Sequence, residues 1–461
     1  MALPVKRRVV VVGLAVTGDA LVRHLTRGGD DVIVVEDTPG PGPEYTARVQ
    51  NARAAGADVV ERPGAVRAGS LAAVADLVVP SPGVPERHPA IAAARRAGVA
   101  IRSEVDLASE LARRADGPAL AAVTGTNGKT TVTTLTAAML TASGVRAVAA
   151  GNIGRPLIEA VDDDVDVVVA EVSSFQLNFT TDAFRPRAAA LLNLGSDHLD
   201  WHRTFDAYAR AKSKVFAHQQ GDDLLVFSAD DPVVAGLAAE AQGRRVPFSV
   251  APGAASGYRV LDTAGGPMLV TAEDNGIVAF EALPRRTPPD VANALAAAAL
   301  AVDLGADLAS VRTTLLGFSG LAHRMQLVSE RAGVRYIDDS KATNVHATVA
   351  AVGALDHVVL LAGGRNKGLD LGELRALAPR LRAVVAIGEA AGEITDAFSG
   401  PTPVVVAMSM REAVRVARDL AEPGDTVLLS PACASFDWYP SYSARGDDFA
   451  REVRALAEVE G

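Results

Sequence analysis

An apolar run, Leu120 to Val123, passes directly into Thr124-Gly125-Thr126-Asn127-Gly128-Lys129-Thr130-Thr131 and then into a helical pattern. Strand, glycine loop and helix in that order restrict the chain to an open α/β sheet carrying a phosphate cradle. The glycines let successive backbone N–H groups converge on an anion, and the helix that follows adds its positive end. Lys129 supplies a compact charge and the Thr130 hydroxyl can hold Mg²⁺. The commonest spacing of such loops needs a glycine where this chain has Val123, so the cradle is a variant.

The 461 residues are too many for one hydrophobic core and predict two or three domains. Asp and Glu outnumber Lys and Arg by 55 to 45, a net charge of −10. That balance argues against nonspecific adhesion to nucleic acid or to an anionic membrane and points to small-molecule partners. The single cysteine, Cys433, excludes an intrachain disulfide framework. The N-terminal apolar stretch, Val9 to Leu14, is too short for a signal sequence or a membrane span, and the expected compartment is the cytoplasm. Lysine occurs only at 6, 129, 212, 214, 341 and 367. In so arginine-rich a chain, the interior lysines are expected where a compact charge or a removable proton is needed.

Residues 5 to 12 read as a buried parallel strand, followed by Gly13-Leu14-Ala15-Val16-Thr17-Gly18, a helix from Asp19, and a second strand ending in Glu36-Asp37. This is a Rossmann-like opening, but Ala15 replaces the glycine that admits a pyrophosphate, which weakens a dinucleotide reading. Continuous apolar strands, 165–170, 188–192 and 223–227, follow the cradle, then short β segments between Tyr258 and Leu283 and an alanine-rich helix, 292–304. A third βα series has strands at 358–361, 384–387, 404–406 and 427–429. The expected domains are 1–117, 118–319 and 320–461, with a hinge at Gly317-Phe318-Ser319-Gly320.

Ligands of open α/β sheets gather at the carboxyl ends of strands. Glu171 ends one apolar run, where a carboxylate can hold Mg²⁺ beside the cradle. Asp197-His198 ends another, and a neutral imidazole can ligate metal while a carboxylate orients it. On a helix from Phe205 to Phe216, Lys212 shares one stripe with Phe205, Tyr208, Ala209, Val215 and Phe216. Burial disfavours its charged form. A neutral amine there can capture carbon dioxide as a carbamate and become an anionic metal ligand, completing a Mg²⁺ site with His198 and Glu171. Three further polar loops, Asp338 to Asn344, Gly363 to Gly368 and Ser430 to Phe436, each follow a strand and are expected to form one pocket. Cys433 reads as a buried small hydrophobe.

Through these residues the chain resembles the Mur ligases, ATP-dependent amide-forming enzymes of cell-wall precursor synthesis. The Gly125 to Thr130 loop is shared across that superfamily, including the folylpolyglutamate synthetases. Glu171-Val172-Ser173-Ser174-Phe175-Gln176-Leu177, Asp339-Ser340-Lys341-Ala342-Thr343-Asn344 and Leu429 to Ser435 are similar to the D-glutamate-adding branch. The resemblance implies a Rossmann-like N-terminal domain, a P-loop ATPase central domain and a Rossmann-like C-terminal domain. It implies that ATP and Mg²⁺, two ions in number, meet UDP-N-acetylmuramoyl-L-alanine and D-glutamate in a monomeric protein with no nucleic-acid or membrane partner.

By position, Thr17, Asp37, Thr38 and Gly83 meet the UDP moiety, Asn152 and His198 lie near the acceptor, and Ser173 is a further contact to the UDP substrate. Gly125, Thr126, Asn127, Gly128, Lys129, Thr130, Thr131, Asn293, Arg324 and Asp339 meet ATP. Thr130, Glu171, His198 and carbamylated Lys212 meet metal, and Thr343, Lys367, Ser435 and Phe436 meet D-glutamate. Lys129, His198, Lys212, Arg324 and Lys341 are the expected catalytic set. Asp290, where the family usually has asparagine, and Pro39, where relatives often carry a basic residue, depart from the pattern. A folylpolyglutamate synthetase, an NAD-dependent oxidoreductase and a non-enzymatic P-loop switch are the rival readings.

Overall fold

A computed structural model describes residues 6–40, 42–398, 400 and 402–456. The start of the first expected strand, Val5, lies outside them. The described residues fall into two compact units. One runs up to Leu194 and adds Ala209–Leu283 and Ala292–Leu316; the other consists of Gly195–Tyr208, Pro284–Val291 and the chain from Gly317.

The first unit holds two sheets. Strands β1 (Arg8–Val12), β2 (Asp31–Glu36), β3 (Asp58–Glu61), β4 (Leu77–Pro80) and β5 (Ala100–Ile101) form a parallel sheet in the order β3-β2-β1-β4-β5. Val9, Val10 and Val11 are fully buried, as a strand covered by helices on both faces requires. The order reverses between β1 and β4, which opens a crevice at their carboxyl ends. The first helix, Val16–Arg27, starts three residues earlier than expected because Ala15 is extended and serves as its N-cap.

The second sheet contains β6 (Ala119–Thr124), β7 (Ala147–Gly151), β8 (Val167–Glu171), β9 (Ala188–Leu191), β10 (Leu224–Ser228), β11 (Arg244–Ser249), β12 (Tyr258–Thr263), β13 (Gly266–Val270) and β14 (Gly276–Ala279). Its order is β14-β13-β12-β11-β10-β9-β6-β8-β7, parallel as far as β12, while the β12–β13 and β13–β14 pairings at one edge are antiparallel. The expected edge hairpins are therefore present. The alanine-rich helix is Pro288–Asp303, four residues longer at its start than the alanine run suggested, because two prolines open it.

Within this unit the helix Glu104–Ala112 binds the two sheet systems together. The Glu104 carboxyl is fully buried and accepts from Ile158 N at 2.7 Å. Both Asp106 oxygens accept from Thr181 N at 3.1 Å. Burial pushes Glu104 up to about 7 and Asp106 up to about 6. Folding thus favours the protonated acids, so their stabilisation is complete at low pH and is lost as pH rises through those values. Glu104→Gln keeps the acceptor oxygen without the charge. Relative to wild type, its stability should rise by on the order of 2 kcal/mol between pH 5 and pH 8, measured by denaturant titration.

The second unit carries β15 (Gln326–Arg331), β16 (Val334–Asp338), β17 (Val358–Gly363), β18 (Leu381–Ile387), β19 (Val404–Ala407) and β20 (Thr426–Ala432). The order is β15-β16-β20-β17-β18-β19, parallel apart from the β15–β16 hairpin. Ser430, Pro431 and Ala432 belong to β20 rather than to the loop after it, since pairing to β17 extends the strand as far as Ala432.

Candidate active site

The cradle follows β6, the strand at which the larger sheet reverses its order. Gly125 and Gly128 have φ of +157° and +84°, and a Cβ on Gly128 would collide with the Asn293 amide. Asn293, expected beside the nucleotide, therefore packs against the loop, and only glycine permits it. Lys129 Nζ folds back to donate to the carbonyls of Gly125 and Thr126 at 2.8 and 2.9 Å.

Asn193, just beyond β9, braces the loop from outside. Its Oδ1 accepts from Asn127 N at 2.8 Å, its Nδ2 donates to Asn127 O at 3.1 Å, and its carbonyl accepts from Thr126 N at 2.9 Å. Sequence reasoning missed this residue, although a polar side chain ending the Leu191-Leu192 run was the available signal. Asn193→Ala should raise the KM for ATP about ten-fold and leave folding intact, since the loop loses its outer support.

Thr130 Oγ1 donates to Glu171 Oε2 at 2.7 Å, and Asn152 Nδ2 donates to Glu171 Oε1 at 2.9 Å. Hydroxyl and carboxylate oxygens are hard donors that suit Mg²⁺, which takes its remaining ligands from phosphate and water. Ser173 caps the short helix Ser174–Asn178 in a reciprocal box with Gln176, which fixes the backbone after Glu171. Lys212 is buried, as the apolar stripe demanded, on the helix Phe205–Ser213. Its Nζ donates to Gly125 O at 2.8 Å and lies 3.4 Å from Thr124 Oγ1. Thr130, Thr131, Asn152, Glu171 and Lys212 belong to the first unit, His198 to the second.

On the smaller sheet of the first unit, Thr17, Asp37, Thr38 and Gly83 follow the carboxyl ends of β1, β2 and β4, along one rim of the crevice. Glu36 accepts from Leu14 N at 2.7 Å and from Thr38 N at 2.9 Å. The acid that a dinucleotide ribose would need is thus used to shape two loops. Asp37 Oδ2 lies 2.5 Å from His88 Nε2.

In the second unit the three polar loops are tied to one another. Arg445, a fully buried residue of the helix Tyr442–Ala455, donates to Ser340 Oγ at 2.9 Å, Ser340 O at 2.8 Å and Cys433 O at 3.1 Å. A backbone bridge pairs Arg365 with Ala434. Lys341 Nζ sits 3.8 Å above the Tyr442 ring. His323 Nδ1 is 2.7 Å from Asp338 Oδ2. Asp339 accepts from Ser430 Oγ at 3.0 Å and is pushed up to about 7 by burial. Lys367 Nζ donates to Asp197 at 2.8 Å, whereas Phe436 is 63% exposed. Thr343 is half-buried and Ser435 buried on the same set of loops. Asp290 is taken up by Arg285 at 2.9 Å and Thr287 at 2.6 Å, so its charge has a local partner. Burial lifts the Cys433 thiol to about 12, which excludes a ready thiolate nucleophile.

Three family models match in chain order: the Mur ligase MurD-like N-terminal domain over residues 7–103, the Mur ligase middle domain over 123–301, and the Mur ligase glutamate ligase domain over 323–433. A UDP-N-acetylmuramoylalanine–D-glutamate ligase of Geobacter metallireducens is 39% identical, covering 98% of both chains. One of Frankia casuarinae is 42% identical over 97% of this chain and 94% of its own. The chain belongs to the Mur ligase family. Its three-domain α/β architecture is that of Mur ligases. The crystal structure of MurF from Acinetobacter baumannii matches this Mur ligase with a TM-score of 0.62 at 18% identity, covering 96% of this chain and 93% of that one. That of MurF ligase from Thermotoga maritima in complex with ADP gives 0.61 at 16%, covering 94% and 96%. Among the described residues of this Mur ligase, no helix is long and apolar enough to cross a membrane.

Proposed function

We propose that this Mur ligase joins D-glutamate to UDP-N-acetylmuramoyl-L-alanine at the expense of ATP, a step of peptidoglycan precursor synthesis in the cytoplasm. The observation that carries the reading is near-complete alignment, at about 40% identity, with ligases named for that reaction. In this reading the domains are 1–117 for the UDP substrate, 118–319 for ATP and 320–461 for the amino acid, and the protein acts as a monomer.

Thr17, Asp37, Thr38 and Gly83 hold the uridine diphosphate, and Asn152 and Ser173 guide the acceptor. The backbone from Gly125 to Thr131 cradles the triphosphate, with Asn293 and Asp339 on its nucleoside side. Lys129 leaves the Gly125 and Thr126 carbonyls for the terminal phosphate. Thr130 and Glu171 would hold one Mg²⁺, and a carbamylated Lys212 would supply a ligand to a second, with His198 the further metal ligand of this reading; ions bound there would neutralise charge on the transferred phosphoryl group.

The acceptor carboxylate oxygen attacks the terminal phosphorus, the bond to ADP breaks, and an acyl phosphate forms. Lys129 and Arg324 offset the charge that builds in this step. The amino group of D-glutamate, bound by Thr343, Lys367, Ser435 and Phe436 and adjoined by Lys341, loses a proton to solvent and attacks the acyl carbon as the free amine, and the new N–C bond costs it a second proton. The tetrahedral intermediate expels inorganic phosphate and leaves an amide. Positioning and charge neutralisation suffice, and no protein nucleophile takes part.

The test is phosphate release from ATP with Mg²⁺ and UDP-N-acetylmuramoyl-L-alanine as the amino acid is varied. D-glutamate alone should support turnover. Equal activity with L-glutamate or a diamino acid overturns the branch assignment, and activity with a folate acceptor in place of the UDP-sugar overturns the substrate class.

A further inference from the structure

Asp197 and Lys367 lie 170 residues apart and meet at 2.8 Å, with side chains 8% and 18% exposed. Asp197 is held from several directions. Its Oδ1 also accepts from His198 N at 2.9 Å, its Oδ2 accepts from Asn344 Nδ2 at 3.2 Å, and His198 Nε2 lies 3.6 Å from Oδ2. The Asn344 amide is itself oriented, because its Oδ1 caps the helix Val345–Gly353 through Ala347 N at 2.8 Å. Gly195 seats the segment: a Cβ there would come within 2.9 Å of the His346 ring. All of these residues belong to the second unit, which also carries the loops assigned to the amino acid.

A nearly buried ion pair is a weak source of stability, because desolvating both charges offsets most of their attraction. It has another use here. An amino acid's head group is a zwitterion whose ammonium and carboxylate are joined through one carbon. A fixed Asp–Lys pair is its electrostatic complement, with the carboxylate on Lys367 and the ammonium on Asp197. From this geometry we infer that Asp197 is the receptor for the α-ammonium of the incoming amino acid and selects it against dicarboxylates that lack an amine. The inference rests on the ligase reading above and on the assignment of Lys367 to the substrate's carboxylate. It identifies Asp197, rather than the neighbouring His198, as the residue that makes the α-amine a requirement for binding.

The experiment compares D-glutamate as substrate with glutarate as competitive inhibitor, in wild type and in Asp197→Asn. Asparagine keeps the size and an acceptor oxygen but removes the charge. In wild type, glutarate should bind at least thirty-fold more weakly than D-glutamate. In the variant, the KM for D-glutamate should rise about thirty-fold or more, while glutarate binds as well as before or better and the KM values for ATP and the UDP-sugar hold. A purely structural Asp197 would weaken both dicarboxylates together, and that result overturns the inference. Glutarate inhibiting wild type as tightly as D-glutamate overturns it without recourse to any variant. Wild type that turns over no D-glutamate at all defeats the ligase reading itself, and this one with it.

Discussion

Lys212→Ala is expected to lower D-glutamate-dependent phosphate release by about a thousand-fold, with partial recovery when acetate or another short-chain acid is supplied at high concentration. Lys212 is 2% exposed and its Nζ lies 2.8 Å from the Gly125 carbonyl, at the base of the cradle. The proposed carbamate would form by attack of the amine on carbon dioxide, with a new N–C bond and loss of one proton, and would leave an anionic oxygen pair that can face a cation. An added carboxylic acid can enter the space left by the lysine stem and restore those oxygens. Retention of activity in Lys212→Met would rule the carbamate out. Loss of activity without rescue would leave Lys212 as an ammonium that steadies the cradle through Gly125 and Thr124.

Glu171→Gln should reduce kcat by about a hundred-fold or more and raise the Mg²⁺ concentration needed for half-maximal rate. The carboxylate is 3% exposed and is held between Thr130 at 2.7 Å and Asn152 at 2.9 Å. Glutamine is nearly isosteric, so it preserves the packing and one acceptor while removing the charge that a divalent ion requires. The shift in Mg²⁺ dependence separates loss of a metal ligand from loss of shape. A variant with unchanged kcat and unchanged Mg²⁺ requirement would remove Glu171 from the metal site.

Much of the architecture was legible because it is local. Valine runs such as Val9 to Val12 and Val167 to Val169 announce strands buried on both faces. The apolar stripe around Lys212 announced its burial. The strands β7 and β15 were not foreseen: Ala147-Val148-Ala149-Ala150-Gly151 has no alternation and a single branched side chain, Val148, and Gln326 to Arg331 is exposed or half-buried at an edge. The extent of β20 was also misjudged, since Pro431 and the small residues beside it read as a loop until pairing with β17 is known.

From its sequence alone the protein was committed to alternating strands and helices, a glycine cradle with its lysine and threonine, a buried lysine and polar loops at strand ends. Each of these is a pattern of neighbours within a few residues, set by backbone freedom and hydrophobic periodicity. Tertiary structure alone decided the partners: Asn193 bracing Asn127, Arg445 tying Ser340 to Cys433, Asp290 taken up by Arg285, and Asp197 meeting Lys367. Side-chain pairing across long separations depends on which strand ends the sheet order places side by side, and no local periodicity encodes that.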